Sequence, residues 1–412
     1  MSKLQSVRGT YDLYGEAKRK TKQVTRIAEQ VVEKYGFEEI ETPIFEFTEV
    51  FARNLGDTSD IVTKEMYCFE DRGGESLTLR PEGTAGVVRA FVSNGMQQDL
   101  PLKIYYQGPM FRYERPQKGR QRQFTQFGVE LFGAATPQAD IELIAMAYEF
   151  LERLGLQGQV VVEINSLGDT ESRDAYREKL VSYLRKNYDR LSDDSKSRLE
   201  RNPLRVLDSK EECDKEVVEN APLYSDSWND FSKDFFNKVL RGLDVLGIKY
   251  RVNNRLVRGL DYYSHTVFEL VTDKLGAQGT VLAGGRYDGL IEQMGGGPVS
   301  GIGWACGVER LAMLLDKAEK GQRPIVVVPV SEDVSEQAMK IAQTLRLAGF
   351  RAEQGYSGNL KKRMMKADKM DAKAVVIVGP DELQKGEVVV KKLDDGQQVS
   401  VNIEKLAEEL NK

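Results

Sequence analysis

Histidine and cysteine are nearly missing from this sequence, and their scarcity removes whole classes of chemistry. His265 is the only histidine. A Ser-His-Asp triad or a Cys-His dyad has no other imidazole to use, and an HExxH zinc site is ruled out. The three cysteines, Cys68, Cys213 and Cys306, are far apart and form no CxxC pair. That argues against a disulfide framework and a thiolate zinc site, and it fits a reducing, cytoplasmic compartment. Long apolar runs are absent too. Nothing approaches the roughly 18 residues of a membrane-spanning helix, so no membrane partner is expected. The opening MSKLQSVRGTYDLYGEAKRK has no apolar stretch of the kind that directs secretion. Nor does one charge dominate. With 59 basic against 64 acidic residues the net charge is −5, without the basic excess of a non-specific nucleic-acid coat. A local basic patch stays open. Chemistry must rest on Arg, Lys, Glu, Asp, Gln, Tyr and backbone groups.

What is present reads as a soluble globular chain of several domains: 412 residues, 41% hydrophobic and 30% charged. Val24, Ile27, Ala28, Val31 and Val32 fall at helical spacing over 16–34, and Gly36 stops the pattern. From Phe37 to about Gly168 strand-like runs dominate: KIYYQGPMFRY, RQFTQFGVELFG and QVVVEINSLG. Between about Thr170 and Ser225 the composition turns highly charged and helical, the mark of an insertion. Strand signals resume at YRVNNRLVRGLDYYSHTVFELV and continue to Leu315, and KAEKGQRP reads as a linker. Beyond it, IVVVPV, a helix to Leu347, a second helix around Lys361–Lys369, AVVIVG and a hairpin turning at Asp395-Gly396 predict a βαβ-type domain. The expected divisions are 1–169, 170–225, 226–320 and 322–412.

Two features carry candidate chemistry. Glycines cluster at GGRYDGL and GGGPVSGIGWACGVERL. Neither a P-loop nor a GxGxxG fits, since Cys306 stands where the last glycine would be. Close strand packing and a bare backbone beside the Arg310 cation both remain open. The second feature is the hairpin 104–133. Strand alternation puts Phe111, Tyr113, Phe127, Val129 and Leu131 on one, apolar face. The other face holds Arg112, Glu114, Phe124, Gln126, Gly128 and Glu130, with the basic loop 115–122, including Arg120, between the strands. A solvated face is the commoner outcome for such a hairpin, but Arg, Glu and Gln beside an aromatic and a glycine also suit a small-molecule floor. RGLDYY (258–263) and RPEGT (80–84) are two more short polar clusters. Arg112, Arg258 and Arg310, taken with Glu82, Glu130 and Tyr263, form a cation-rich set whose natural partner is polyphosphate.

These segments resemble the class II aminoacyl-tRNA synthetases and, within them, the histidyl-tRNA synthetase family. GFEEIETPIFEFTEVF looks like motif 1, FRYE with RQRQF like motif 2, and GWACGVERL like motif 3. LVRGLDYYSHTVFE, AGGRYDGL and LRPEGTA are similar to the histidine-specific signatures. The likeness covers essentially the whole chain. It implies an α+β fold, with an antiparallel-sheet catalytic core, a helical insertion and a C-terminal α/β anticodon-binding domain. It also implies a homodimer that binds L-histidine, ATP and tRNA(His), with magnesium accompanying ATP and no dedicated protein metal site. On this resemblance Arg258 and Arg112 would be catalytic. Glu82, Gly83, Thr84, Arg112, Gln126, Glu130, Arg258, Tyr262 and Tyr263 would bind histidine, with Glu130 and Tyr263 facing the imidazole. Arg112, Glu114, Arg120, Phe124 and Arg310 would bind ATP, with Phe124 stacking on adenine.

Two departures stand out. Gly128 occupies a place where motif 2 commonly carries an acid, and His265 continues the RGLDYY motif without an evident role, as an ordinary structural histidine. The closest rival reading is the regulatory subunit of ATP phosphoribosyltransferase, which shares this core but lacks the C-terminal domain.

Overall fold

The structure, a computed structural model, describes residues 3–55, 61–209, 211–258, 262–276 and 279–411. Gly259, Leu260 and Asp261 of the RGLDYY motif lie outside the described residues. The chain divides into two compact units, 1–318 and 319–412.

The first unit is built on a sheet of eight strands. In spatial order they are Glu38–Glu39, Leu102–Phe111, Gln123–Phe132, Gly301–Gly307, Thr280–Arg286, Ser264–Val271, Val161–Ser166 and Tyr250–Val252. Pairing is antiparallel through the six middle strands and parallel only for the short strand at each edge. The three strand-like runs named above are all strands.

Side-chain alternation along Gln123–Phe132 splits the interior in two. Phe127, Val129 and Leu131 join a core with Val24, Ile27, Ala28, Val31 and Val32 of helix Gly15–Val32. Phe127 sits between Tyr105 and Trp304, with ring centroids 5.5 and 6.2 Å away. Helix Pro137–Arg153 closes the same core through Leu143, Ile144, Ala147, Phe150 and Leu151. That helix corrects the expectation that strands dominate 37–168: its apolar pairs recur every three to four residues, the period of a helix. Tyr113 is a second correction. Alternation puts it on the apolar face, yet it is 54% exposed, because pairing with Gln123–Phe132 ends at Phe111 and alternation means nothing beyond the ladder. Arg122 lies over its ring at 3.8 Å instead.

The segment 170–225 is helical, with helices Thr170–Lys186, Asp193–Arg201 and Glu212–Glu219. Its hub is the buried Asp214 carboxylate, which accepts from the Ser192, Ser195 and Ser209 hydroxyls at 2.7, 2.6 and 2.6 Å. Burial pushes this carboxyl up, yet the hydroxyls outweigh it and hold it below the usual range.

In the second unit, Ala352–Gln354, Ile325–Pro329 and Ala374–Val378 pair in parallel, and the hairpin Glu387–Lys392 with Gln398–Asn402 extends the sheet antiparallel. Near-continuous valine and isoleucine in the middle strands is what burial on both faces requires.

Candidate active site

Helix Thr84–Ser93 needs an anchor for its first amide groups, and Glu82 supplies it. The two carboxylate oxygens accept from Thr84 N and Ala85 N, each at 2.7 Å. Gly83 N donates to Gln126 Oε1 at 3.0 Å, joining this turn to the polar face of the hairpin. Both Gly83 and Gly128 lie against the ring of Tyr106, which fills the space where a Cβ on either residue would stand. An acid at 128 would collide with that ring, which accounts for the glycine there.

Above this floor opens a cavity of about 990 Å³. Glu82, Thr84, Arg112, Glu114, Arg120, Phe124, Gln126, Glu130, Arg258, Tyr262, Tyr263 and Arg310 all line it. Gly83 is the one site residue from the sequence reading that does not; its backbone holds Gln126 from behind.

One part of the cavity is acidic and closed. Glu130 is 1% exposed. Its Oε1 accepts from Thr84 Oγ1 at 2.7 Å and its Oε2 from the Tyr287 hydroxyl. Burial drives this carboxyl up to about 8, against the pull of the Tyr287 and Thr84 hydrogen bonds. Near neutral pH it therefore holds a proton, and it can meet a ligand as donor or acceptor. Burial also raises Glu82, with the Ala85 and Thr84 amides and Arg112 pulling it back.

Another part is a collar of guanidinium groups. Arg112 donates through Nε to Pro81 O at 2.8 Å and lies 5.4 Å over the Phe124 ring. Arg120 pairs with Glu114 at 3.2 Å. Burial first, and then the Arg120 charge, weaken the hold of Arg310 on its proton, with Glu114 pulling the other way. Arg258 is ion-paired to Glu269, whose other oxygen accepts from Thr280 Oγ1 at 2.6 Å. A cavity with a buried acid and four guanidinium groups suits a small amino acid together with a polyphosphate.

Sequence reasoning missed Tyr287, Tyr106, Glu269 and Tyr11. Tyr287 stands inside AGGRYDGL but reaches Glu130 across 157 residues of chain. Glu269 is the one acid of strand Ser264–Val271, with nothing nearby in the sequence to single it out. His265 does not line the cavity: it is buried, stacked 4.7 Å from Phe235, with φ at 43°. Among the described residues no three His, Cys, Asp or Glu gather as a metal-binding group, and no helix is long and apolar enough to cross a membrane.

Comparison with known proteins fits this geometry. The family described as histidyl-tRNA synthetase matches residues 9–311, and the anticodon binding domain matches 324–412. The histidine–tRNA ligase of Rhodospirillum rubrum is 56% identical, covering 99% of both chains. That of Gluconobacter oxydans is 54% identical, covering 99% of this chain and 98% of its own. The apo histidyl-tRNA synthetase structure from S. aureus superposes with a TM-score of 0.84 at 35% identity and full coverage of both chains. A Bacillus halodurans structure described as an ATP phosphoribosyltransferase regulatory subunit/histidyl-tRNA synthetase shares the fold, with a TM-score of 0.67 at 23% identity, 91% of this chain and 98% of its own. The chain belongs to the histidyl-tRNA synthetase family of class II aminoacyl-tRNA synthetases.

Proposed function

We propose that this protein joins L-histidine to tRNA(His), using ATP and passing through histidyl-adenylate. The observation that carries this reading is the single cavity in which the Glu130–Thr84–Tyr287 cluster and the guanidinium groups of Arg112, Arg120, Arg258 and Arg310 face a common space. Glu130 and Tyr263 receive the imidazole, and Gln126, Thr84 and Glu82 the α-amino group. The nucleotide takes the Phe124, Arg120 and Arg310 side.

In the first step a histidine carboxylate oxygen bonds to the α-phosphorus of ATP, and the bond to the bridging oxygen breaks to release pyrophosphate. Negative charge grows on the α-phosphate oxygens. Arg258 and Arg112 neutralise it from positions already fixed by Glu269 and by Pro81 O. In the second step a terminal ribose hydroxyl of tRNA attacks the carbonyl carbon, and AMP leaves. No side-chain nucleophile is required. Magnesium would travel with the ATP phosphates. The second unit, matched by the anticodon-binding family, would take the tRNA.

A cytoplasmic homodimer is part of the same reading. Phe45 and Phe47 share a face by alternation, and Phe69 joins them across Leu77 in the small sheet Phe45–Phe47, Ser76–Leu79, Tyr67–Glu70. They are 53, 51 and 44% exposed in the single chain. An apolar face of this kind, with Phe45 and Phe47 from motif 1, supports a two-fold interface. Sedimentation should give a dimer, and Phe47→Asp should shift it toward monomer.

Amino-acid-dependent ATP–pyrophosphate exchange tests the whole reading. Exchange with histidine alone among the amino acids is expected. Exchange with another amino acid, or none, would overturn it, and none at all would favour the regulatory-subunit alternative.

A further inference from the structure

The N-terminal segment has no assigned part in the site, yet it touches the basic loop 115–122. Val7–Thr10 forms a tight turn, closed by Thr10 N and Thr10 Oγ1 on Val7 O at 2.9 and 2.8 Å. The turn delivers Gly9 O to Arg122 N at 2.8 Å, and Arg122 O in turn accepts from Arg112 N at 2.9 Å. A backbone relay thus runs from the strap, through the far end of the basic loop 115–122, to a cavity arginine. Gly9 has φ +87°, and a Cβ there would stand 2.7 Å from Arg122 Cγ and 3.1 Å from Pro116 Cγ. Only glycine satisfies both the conformation and the approach. Just past this latch, Tyr11 and Leu13 line the cavity, in its wall with Glu309 and Arg310. Glu309 lies close enough that burial and its charge together push the Tyr11 hydroxyl up.

We propose that the strap Val7–Leu13 is a working part of the nucleotide half of the site: Gly9 latches the 115–122 loop in its binding position, and Tyr11 lays its ring against the bound nucleotide. This rests on the ATP assignment made above and extends it to residues that assignment does not use. The strap and the loop are joined directly, through the hydrogen bond from Arg122 N to Gly9 O. The strap's order and the loop's order are therefore coupled.

The test uses the full chain with Tyr11→Ala, Tyr11→Phe and Gly9→Ala. ATP dissociation constants come from calorimetry, and Michaelis constants for both substrates from exchange. Tyr11→Ala and Gly9→Ala should weaken ATP binding by about fivefold or more, the scale of one lost aromatic contact. Tyr11→Phe should restore it, because the ring is what makes the contact. The histidine constant should move by less than about twofold, a split that a merely structural defect would not produce. Unchanged ATP binding in both Tyr11→Ala and Gly9→Ala, with exchange intact, would overturn the strap's role while leaving the ligase reading standing. Absence of histidine-dependent exchange in the unmodified protein would instead overturn that reading, with the dissociation constants still deciding the strap.

Discussion

Glu130 shows how a single carboxyl can serve selection through its environment. It is enclosed by Thr84, Tyr287 and the bare backbone of Gly303, and any side chain at 303 would displace its oxygens. A pocket built around such a group rejects ligands that leave it unpaired. Glu130→Gln should raise the Michaelis constant for histidine by about tenfold or more, the cost of leaving one buried polar group unpaired, and leave that for ATP nearly unchanged. Steady-state exchange with each substrate varied decides it; equal shifts in both constants would contradict the assignment. The carboxyl also leaves a mark on stability. Its folded value of about 8 stands above the ordinary 4.5, so the folded state binds the proton more tightly than the unfolded chain does. Its contribution is thus fullest below about pH 4.5 and declines as pH rises toward 8. Melting of the ligand-free protein should therefore fall relative to Glu130→Gln across that window, and parallel curves would show that Glu130 is not buried as described. Arg258 is the counterpart for chemistry. Glu269 and Thr280 fix its direction, so its guanidinium needs no reorganisation when charge develops on the α-phosphate. Arg258→Ala should slow adenylate formation by roughly 10²–10³, and Arg258→Lys should recover only part because it lacks the forked geometry. Single-turnover formation of the adenylate reads this directly.

Between residue and molecule stands the element that holds Tyr287 in place. Arg286, its neighbour in the chain, is wholly buried and ion-paired to Asp140 in the first turn of helix Pro137–Arg153. It also donates to Ala134 O at 3.0 Å and to Asp288 at 3.1 Å. The end of one strand is thereby tied to the start of one helix beneath the Tyr287–Glu130 contact. Removing the Asp140 charge leaves the buried Arg286 with only the partly exposed Asp288 as counter-charge, at a cost toward the lower end of about 3–5 kcal/mol. Asp140→Asn should lower the melting temperature substantially and also weaken histidine binding, whereas replacing both Asp140 and Arg286 by apolar residues should restore much of the stability but not the binding. If Asp140→Asn melts like the unmodified protein, the pair is not a lock. This element also marks where sequence reading stops. Phe124, Gln126 and Glu130 could be placed on one surface because a strand's period of two is written into neighbouring residues. The Arg286–Asp140 and Tyr287–Glu130 contacts join residues 146 and 157 positions apart, and no local period encodes them. Tyr113 failed for the converse reason: its alternation was visible, but the ladder that gives alternation its meaning had already ended. Helix Pro137–Arg153 is legible in its own spacing, although long strand runs flank it on both sides.

At the scale of the whole molecule, the two units have separate interiors. The first closes around two apolar clusters on either side of its sheet, and the second around its own sheet, with no residue shared between them. Every side chain that lines the cavity belongs to the first unit. Adenylation therefore should not need the second. The second unit offers a cationic helix, Leu360–Lys369, whose Lys361, Lys362, Lys366 and Lys369 are exposed, while Arg363 is turned aside to donate to Pro329 O at 2.6 Å. Exposed lysines on one short helix suit phosphate contacts that add affinity without reading sequence. A chain ending at Lys320 should then keep histidine-dependent pyrophosphate exchange at a substantial fraction of the full rate and charge tRNA at least about tenfold less well, with the loss carried by the Michaelis constant for tRNA. In the full chain, replacing Lys361, Lys362 and Lys366 by glutamine should leave exchange untouched, weaken charging, and flatten its dependence on salt. Charging by the shortened chain at the full rate would show that the first unit alone holds the tRNA, and loss of exchange with the fold intact would show that the cavity depends on the second unit.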